Sequence, residues 1–193
     1  MRSLDFARLA LAAVAAAFAG TALAADAPPR PKLGQPVSEQ DIAAWNIDIR
    51  TQDGQGLPAG KGTSADGAQV FAQKCVSCHG EAAKGGPVYG SMVGGIGSMT
   101  TAKRVLTPGS MYPYAPILFD YIRRAMPMDA PQSLSNDEVY GLSAYILQLN
   151  GLIKAEDVMD AKSLPKVQMP NRDAFIPDDR PDVKAVRCMD KCG

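Results

Sequence analysis

Residues 75 to 79 read Cys-Val-Ser-Cys-His, and this short motif constrains the chain more than any other stretch. Two cysteines two residues apart and followed at once by histidine form the attachment signature of c-type haem. Each member has a chemical task. Cys75 and Cys78 supply thioether sulfurs for the two vinyl groups of one porphyrin, and the imidazole of His79 binds the iron on the proximal side. The motif therefore predicts one covalently attached haem c.

Two other uses of paired cysteines fit this sequence poorly. A redox-active Cys-x-x-Cys pair has no use for the adjacent histidine. A structural zinc site needs four ligands, and His79 is the only histidine of the chain. Because the Cys-x-x-Cys-His pattern occurs once, the sequence predicts a single haem.

The second axial ligand of the iron is expected to be a methionine. With His79 as the only histidine, bis-histidine ligation within one chain is excluded, and methionine is the usual alternative. The best candidates, Met126 and Met128, lie on a segment between two predicted helices. Met126 is favoured because Pro127 follows it and would stiffen the loop. Met128 comes next, ahead of a further group of methionines: Met92, Met99 and Met111.

The N-terminus has the features of a secretory signal peptide. Arg2 and Arg8 make a basic start, residues 9–19 are almost purely apolar, and Ala22-Leu23-Ala24 is a cleavage site of the A-x-A type. We expect cleavage after Ala24 and export to the periplasm. No later stretch is long and apolar enough to cross a bilayer, so the mature protein is expected to be soluble.

Charge and the remaining cysteines add two further expectations. The chain has 20 basic and 20 acidic residues, and nothing in this balance suggests nucleic acid as a partner.

Cys188 and Cys192 are spaced C-x3-C near the C-terminus. Export would place them where disulfides persist, so a bridge between them is the first interpretation and a reduced pair the alternative.

Residues 64–151 carry the helical signals of a haem-binding body. One helix is predicted from Ser64 to Lys74, capped by Thr63 or Ser64, and it delivers Cys75 into the attachment turn. A second covers 116–124, with Pro116 at its first position. A third begins at a capping box of Ser135 and Glu138 and ends at Asn150-Gly151. The first and third are expected to cross, with Gly67 and Phe71 facing Tyr145.

Between the motif and the second helix, residues 80–113 are rich in glycine and proline, as expected of a loop that wraps a flat prosthetic group. Within this loop, Tyr112-Pro113-Tyr114 could hydrogen-bond a haem propionate. A structural aromatic cluster is an equal alternative.

Two arms flank the body. Residues 25–63 are loop-rich, with a short helix predicted from Ser38 to Trp45 and turns over 53–62. Residues 152–193 are rich in Pro, Asp and Lys, and they are predicted to form an extended tail. A free electron shuttle does not need such arms. They are therefore interpreted as partly partner-binding, with simple covering of the body as the alternative.

The order of elements over residues 64–151 resembles class I cytochrome c. It runs helix, Cys-x-x-Cys-His, glycine-rich loop, helix, Met-Pro and capped helix. This resemblance implies an all-α fold around one covalent haem, with the N- and C-terminal arms extending from it.

A closer resemblance extends into the arms. The stretch 119–134, Phe-Asp-Tyr-Ile-Arg-Arg-Ala-Met-Pro-Met-Asp-Ala-Pro-Gln-Ser-Leu, is similar to the cytochrome c subunit of sulfane dehydrogenase in the Sox sulfur-oxidation system. Other segments share that similarity: Trp45 with 53–58, 158–165, 169–172, and the ending Arg187-Cys188-Met189 with Cys192.

The resemblance implies an electron-transfer subunit that is not an enzyme by itself. Such a subunit accepts electrons from a molybdenum-cofactor dehydrogenase subunit, during oxidation of sulfur compounds such as thiosulfate, and passes them to a further cytochrome c. Cytochrome subunits of periplasmic sulfite dehydrogenases share much of the pattern and stay an alternative. Two further alternatives are a freely diffusing electron shuttle and a catalytic or gas-sensing haem protein whose iron has an open sixth coordination site.

Overall fold

The computed structural model describes residues 34–178. The chain divides into two compact units, residues 1–39 and 40–193, and residues 34–39 are the described part of the first. The predicted signal peptide, with its cleavage site after Ala24, and the predicted bridge between Cys188 and Cys192 lie outside the described residues. Across 34–178 no helix is both long and apolar enough to cross a lipid bilayer.

Helices dominate the described structure, as predicted for an all-α fold. The four longer ones are α1 (Glu39–Trp45), α2 (Ser64–Lys74), α5 (Pro116–Ala125) and α6 (Asn136–Leu149), and single turns form α3 (Val76–His79) and α4 (Pro108–Met111). Short 3-10 turns occupy Glu81–Ala83, Ser98–Thr100 and Leu164–Lys166. Two short strands complete the set, β1 (Lys61–Thr63) and β2 (Val158–Asp160). The four predicted helices are confirmed, each within one residue of its expected bounds.

The helix ends form as their sequence signals predict. At the start of α6, the backbone N–H of Glu138 donates to Ser135 Oγ (3.2 Å), and the N–H of Ser135 donates back to the Glu138 carboxylate (2.8 Å). Thr63, and not Ser64, caps α2, because its hydroxyl accepts from the N–H of Asp66 at 3.2 Å. These side chains satisfy backbone donors that the first helical turn leaves unpaired.

Helices α2 and α6 cross at close range and form the centre of the fold. The Phe71 and Tyr145 rings lie 5.3 Å apart, as the sequence predicts. Next to them, the backbone of Gly67 faces that of Gly141. On α5, the Phe119 ring lies 4.4 Å from the ring of Tyr140 on α6, and both side chains are fully buried. The apolar face of α6 is therefore covered by two other helices.

The segment between the haem-attachment motif and α5 is irregular but fixed by side-chain contacts. Asn150, at the end of α6, donates from Nδ2 to the carbonyl of Met92 (3.1 Å) and accepts from the N–H of Gly94 (3.0 Å). The Thr107 hydroxyl donates to the carbonyl of Gly94 at 2.7 Å. The predicted loop is thus anchored to the last helix of the body.

The turns predicted at 53–62 form over most of that range, but its last two residues begin strand β1, and the tail that was predicted to extend from residue 152 contains the partner strand β2. Strand β1 pairs with β2 in an antiparallel two-stranded sheet, with Gly62 opposite Met159. The strands are three residues long. A segment of that length is too short for an alternating pattern to be recognised. This pairing between distant segments was therefore not predictable from periodicity.

The described part of the tail packs on the body instead of extending from it. Four of its apolar residues belong to the buried core: Met159, Leu164, Val167 and Met169. Leu164 is fully buried, although Pro165 follows it and no helical or strand period marks it. In the other arm, Arg124 on α5 donates to the carboxylate of Asp48 at 2.8 Å. Covering of the body thus accounts for part of each arm.

Candidate haem site

The haem-attachment motif is held in one compact turn at the end of α2. The backbone N–H of Cys75 donates to the carbonyl of Phe71 (2.9 Å) and so continues the helical pattern of α2. The N–H groups of Cys78 and His79 then both donate to the carbonyl of Cys75, at 3.2 and 3.0 Å. The sequence therefore places all three predicted haem-binding residues within a single turn of backbone.

Both motif cysteines are free thiols with half-buried side chains. Burial raises the pKa of the Cys75 thiol to about 11, and Lys74 opposes this only in part. A pair of thiols next to a histidine is the donor set that covalent haem attachment requires.

The imidazole of His79 sits between two aromatic side chains. The Phe71 ring centroid lies 6.5 Å away, and the Tyr89 ring stacks on the imidazole at 5.3 Å with the planes 20° apart. Burial lowers the pKa of His79, so the ring is neutral at neutral pH, which is the form that binds a metal.

One ring nitrogen of His79 has no partner within the described structure. Its Nδ1 is buried, and among residues 34–178 it finds no hydrogen-bond partner. A buried polar atom without a partner is costly. A neutral imidazole with an unpaired ring nitrogen is open to a partner from outside the described residues, and a haem iron is a partner that a neutral imidazole can ligate.

The chain turns sharply after His79 and folds back on the motif. Gly80 has a φ of +72°, and a Cβ there would lie 2.0 Å from the carbonyl oxygen of Gly85. The N–H of Gly85 donates to the carbonyl of His79 at 3.0 Å. Only glycine fits at position 80, because the left-handed backbone and the close approach both exclude a side chain. The turn keeps the residues that follow, including Tyr89, beside the imidazole.

The two methionine candidates occupy different environments. Met126 ends α5, its N–H donating to the carbonyl of Ile122 at 3.0 Å, and its side chain is half-buried against the core. Met128 is 63% exposed, and its sulfur accepts a hydrogen bond from the Tyr89 hydroxyl at 3.1 Å. The greater burial of Met126 favours it as the axial ligand.

Tyr89 connects the two sides of the site, and the sequence analysis missed it. Its ring contacts His79, and its hydroxyl contacts Met128. It therefore brings the methionine segment to the same side of the body as the haem-attachment motif. No periodicity or spacing marked this residue. The one available signal was its position in the glycine-rich loop directly after the motif.

Arg172 in the tail was missed as well. Its guanidinium lies over the ring of Tyr114, with the central carbon 5.1 Å from the ring centroid. Its Nη1 is buried and has no hydrogen-bond partner among the described residues. The segment 169–172 carries part of the family resemblance, but no periodicity or motif assigns a role to Arg172.

Comparison with known proteins agrees with this geometry. The family model of cytochrome c matches residues 64–150. A chain in the crystal structure of the sulfane dehydrogenase SoxCD from Paracoccus pantotrophus is similar over 85% of this chain and 83% of its own length. The two are 37% identical in sequence and superpose with a TM-score of 0.71. No curated protein sequence matches the chain at a significant level.

Proposed function

Because the chain belongs to the class I c-type cytochromes, which bind haem c covalently, we propose that it is the one-haem electron-transfer subunit of a sulfane dehydrogenase. One observation carries this proposal. The similarity to the SoxCD chain covers 85% of this chain, whereas the cytochrome c match ends at residue 150. The likeness therefore extends into the arms, and a generic cytochrome does not account for it.

In this proposal each site residue has one task. Cys75 and Cys78 would bind the porphyrin covalently, and His79 and Met126 would ligate the iron. When bound, haem c supplies one-electron chemistry between the ferrous and ferric states, and methionine ligation raises its reduction potential. The chain contributes the neutral imidazole, the half-buried methionine and the apolar residues that keep water from the site.

The proposed electron donor is a molybdenum-cofactor dehydrogenase subunit, and the proposed acceptor is a further cytochrome c. Molybdenum chemistry releases electrons in pairs, whereas a single haem accepts one at a time. The cytochrome must therefore pass on its first electron before it accepts the second. This chain binds no sulfur substrate in the proposal and is not an enzyme by itself. The proposal locates the reaction in the periplasm, to which the signal peptide predicted at residues 1–24 would export the chain.

The direct test is reduction of the haem by the proposed partner. The ferric holoprotein is mixed with the molybdenum-cofactor subunit and a carrier protein that holds sulfane sulfur, and the haem absorbance is followed in a stopped-flow instrument. The proposal expects rapid reduction with the sulfane carrier and none with sulfite. Rapid reduction by sulfite with a molybdenum-cofactor partner would instead assign the chain to a sulfite dehydrogenase.

Size-exclusion chromatography distinguishes a permanent subunit of a complex from a freely diffusing electron shuttle. A permanent subunit elutes with the molybdenum-cofactor protein in one complex of defined stoichiometry. A freely diffusing shuttle elutes alone but is still reduced in the stopped-flow assay.

A further inference from the structure

Helix α1 in the N-terminal arm turns an apolar face to solvent. Ile42 and Trp45 lie three residues apart in this helix and therefore on the same side of it. Both are exposed, and Trp45, the only tryptophan of the chain, is 81% exposed. Tryptophan is highly buried on average in folded proteins. The chain therefore leaves its largest apolar side chain in water.

The length of α1 makes this exposure more telling. The helix has seven residues. An isolated helix of that length is marginal in water, and helices in proteins are stabilised mostly by the packing of an apolar face. Within the described structure the face formed by Ile42 and Trp45 stays exposed. A partner from outside the chain can supply the packing that α1 lacks.

The turn that follows α1 is fixed to the body. Arg124 on α5 donates to the carboxylate of Asp48 at 2.8 Å. A Cβ on Gly56 would lie 2.2 Å from the carbonyl oxygen of Asp48, so the backbone is closely packed there. The next residue, Ile49, packs against the core. Trp45 is therefore displayed three residues from a fixed point, which reduces the ordering cost of binding.

The charged residues around this face are acidic. Residues 34–49 contain Glu39, Asp41 and Asp48 and no lysine or arginine. Like charges placed opposite each other disfavour association, whereas complementary charges favour it. A surface that covers α1 therefore needs an apolar pocket for the tryptophan ring and lysine or arginine at the rim of that pocket.

The comparisons indicate which protein supplies the pocket. Helix α1 lies outside residues 64–150, the part that matches cytochrome c. The likeness to the chain of the sulfane dehydrogenase SoxCD covers 85% of this chain and extends into the arms. The exposed tryptophan thus belongs to the part of the chain that a generic cytochrome lacks.

We propose that α1 is a docking helix, with Trp45 and Ile42 inserted into an apolar, basic-rimmed pocket of the molybdenum-cofactor dehydrogenase subunit. The proposal rests on the proposed function, which identifies that subunit as the partner. Residues 48–57 cover the body, and α1 contacts the partner. Trp45 is the anchor of the interface, because a buried tryptophan is among the side chains that most often dominate binding energy.

The single tryptophan allows a direct test. The full-length holoprotein is labelled with fluorotryptophan, so its fluorine NMR spectrum in the ferrous state has one resonance, from position 45. A soluble gadolinium chelate should broaden this resonance in the free cytochrome. After addition of the unlabelled molybdenum-cofactor subunit, the resonance should shift and be protected from the chelate. A resonance that stays accessible to the chelate in the complex would overturn the proposal.

Substitutions give the second measurement, the affinity of each holoprotein for the same subunit. Trp45→Ala should weaken binding about 30-fold, which corresponds to the roughly 2 kcal/mol of an anchor residue. Trp45→Phe keeps an aromatic ring and should lose less. The matched control is Leu106→Ala, which removes an apolar side chain that is 59% exposed within the cytochrome c match and should bind like the wild type.

Other occupants of the face predict different results. Wild-type affinity in Trp45→Ala would overturn the proposal. A lower melting temperature of the free Trp45→Ala holoprotein would do so too, because it would make Trp45 a structural residue of its own chain. A cytochrome that is dimeric alone and monomeric as Trp45→Ala would place a second copy on α1. Binding that does not weaken as the salt concentration rises would overturn the basic rim.

Failure here and failure of the proposed function are separable. A dehydrogenase subunit that binds and reduces the wild-type cytochrome but leaves Trp45 exposed overturns the docking helix and keeps the electron donor. A subunit that neither binds the wild type nor reduces its haem overturns the proposed function, and the assigned partner of α1 falls with it.

Discussion

A Cβ atom placed on Gly67 would lie 1.9 Å from the carbonyl oxygen of Gly141, so helices α2 and α6 meet backbone to backbone. At that distance no side chain fits, because the obstacle is the main chain of a buried helix and not a flexible side chain. The crossing sets the position of the whole of α2. Since Cys75 continues directly from the end of α2, the crossing also sets the position of the haem-attachment turn.

Gly67→Ala is therefore expected to destabilise the protein strongly. Overpacking costs about 1–3 kcal/mol or more, which exceeds the roughly 1 kcal/mol that alanine gains over glycine in a helix. The measurement is the urea midpoint of the holoprotein. Gly90→Ala is the control, because a Cβ at Gly90 would meet no heavy atom within 4 Å. Equal midpoints for the two variants would contradict the close crossing.

Substitution of each methionine in turn tests whether Met126 or Met128 ligates the iron. Met126→Ala is expected to abolish the charge-transfer band of methionine-ligated ferric haem, to lower the reduction potential, and to let the ferrous protein bind carbon monoxide. Met128→Ala should retain the band, because the Met128 side chain is 63% exposed and bonds to the Tyr89 hydroxyl. Loss of the band in Met128→Ala and its retention in Met126→Ala would reverse the assignment. A wild-type protein that lacks the band and binds carbon monoxide would indicate an open sixth site.

Glu138 gives the stability a predictable dependence on pH. Hydrogen bonds from Lys74 (2.6 Å) and from the N–H of Ser135 lower the pKa of its carboxyl below the usual value of 4.5. Because the folded-state pKa is depressed, the stabilisation is fully present above pH 4.5 and is lost as the pH falls through the folded-state pKa. Glu138→Gln keeps a capping-box acceptor but removes the carboxylate charge, so it should cost up to about 1 kcal/mol at pH 7 through the weakened, partly screened bond with Lys74.

Urea unfolding at pH 7 and pH 3 provides the measurement for Glu138→Gln. The difference from the wild type should shrink at the lower pH, because the depressed pKa of Glu138 stabilises the folded protein progressively less as the pH falls below 4.5. Glu156→Gln is the control, because Glu156 is exposed and its substitution should change the stability at neither pH. An equal loss of stability in Glu138→Gln at both pH values would show that the charge of Glu138 does not contribute to the stability.

Because the tail is buried, substitution of one of its core residues is expected to reduce the stability strongly, although the tail lies outside the cytochrome c match. Leu164 is fully buried among core side chains, so Leu164→Ala should lower the free energy of unfolding by about 2–5 kcal/mol. Ile176→Ala is the natural control, because Ile176 in the same tail is 87% exposed. Calorimetric melting of both variants decides the point. A melting temperature unchanged by Leu164→Ala would mean that the tail separates readily from the body.

Local signals and distant contacts were not equally predictable from the sequence. The cap formed by Ser135 and Glu138 and the haem-attachment motif depend on residues close together in the chain, and both predictions of local structure are confirmed. The pairing of β1 with β2 joins segments nearly a hundred residues apart and leaves no periodic signal. The contacts of Tyr89 and Arg172 are also made across the fold, so neither contact could be predicted from the sequence alone.

The register of β1 and β2 determines at which end of the sheet the two arms leave it. Lys61 pairs with Asp160, so both arms leave the sheet at the same end, while Thr63 and Val158 lead into the helical body at the other. A pull on the two arms in opposite directions reaches this ladder once the buried tail residues Leu164, Val167 and Met169 have been detached, and it then breaks the ladder one residue pair at a time. A partner that grips the arms can therefore strain the sheet while the crossing helices, and the turn at Cys75, keep their geometry.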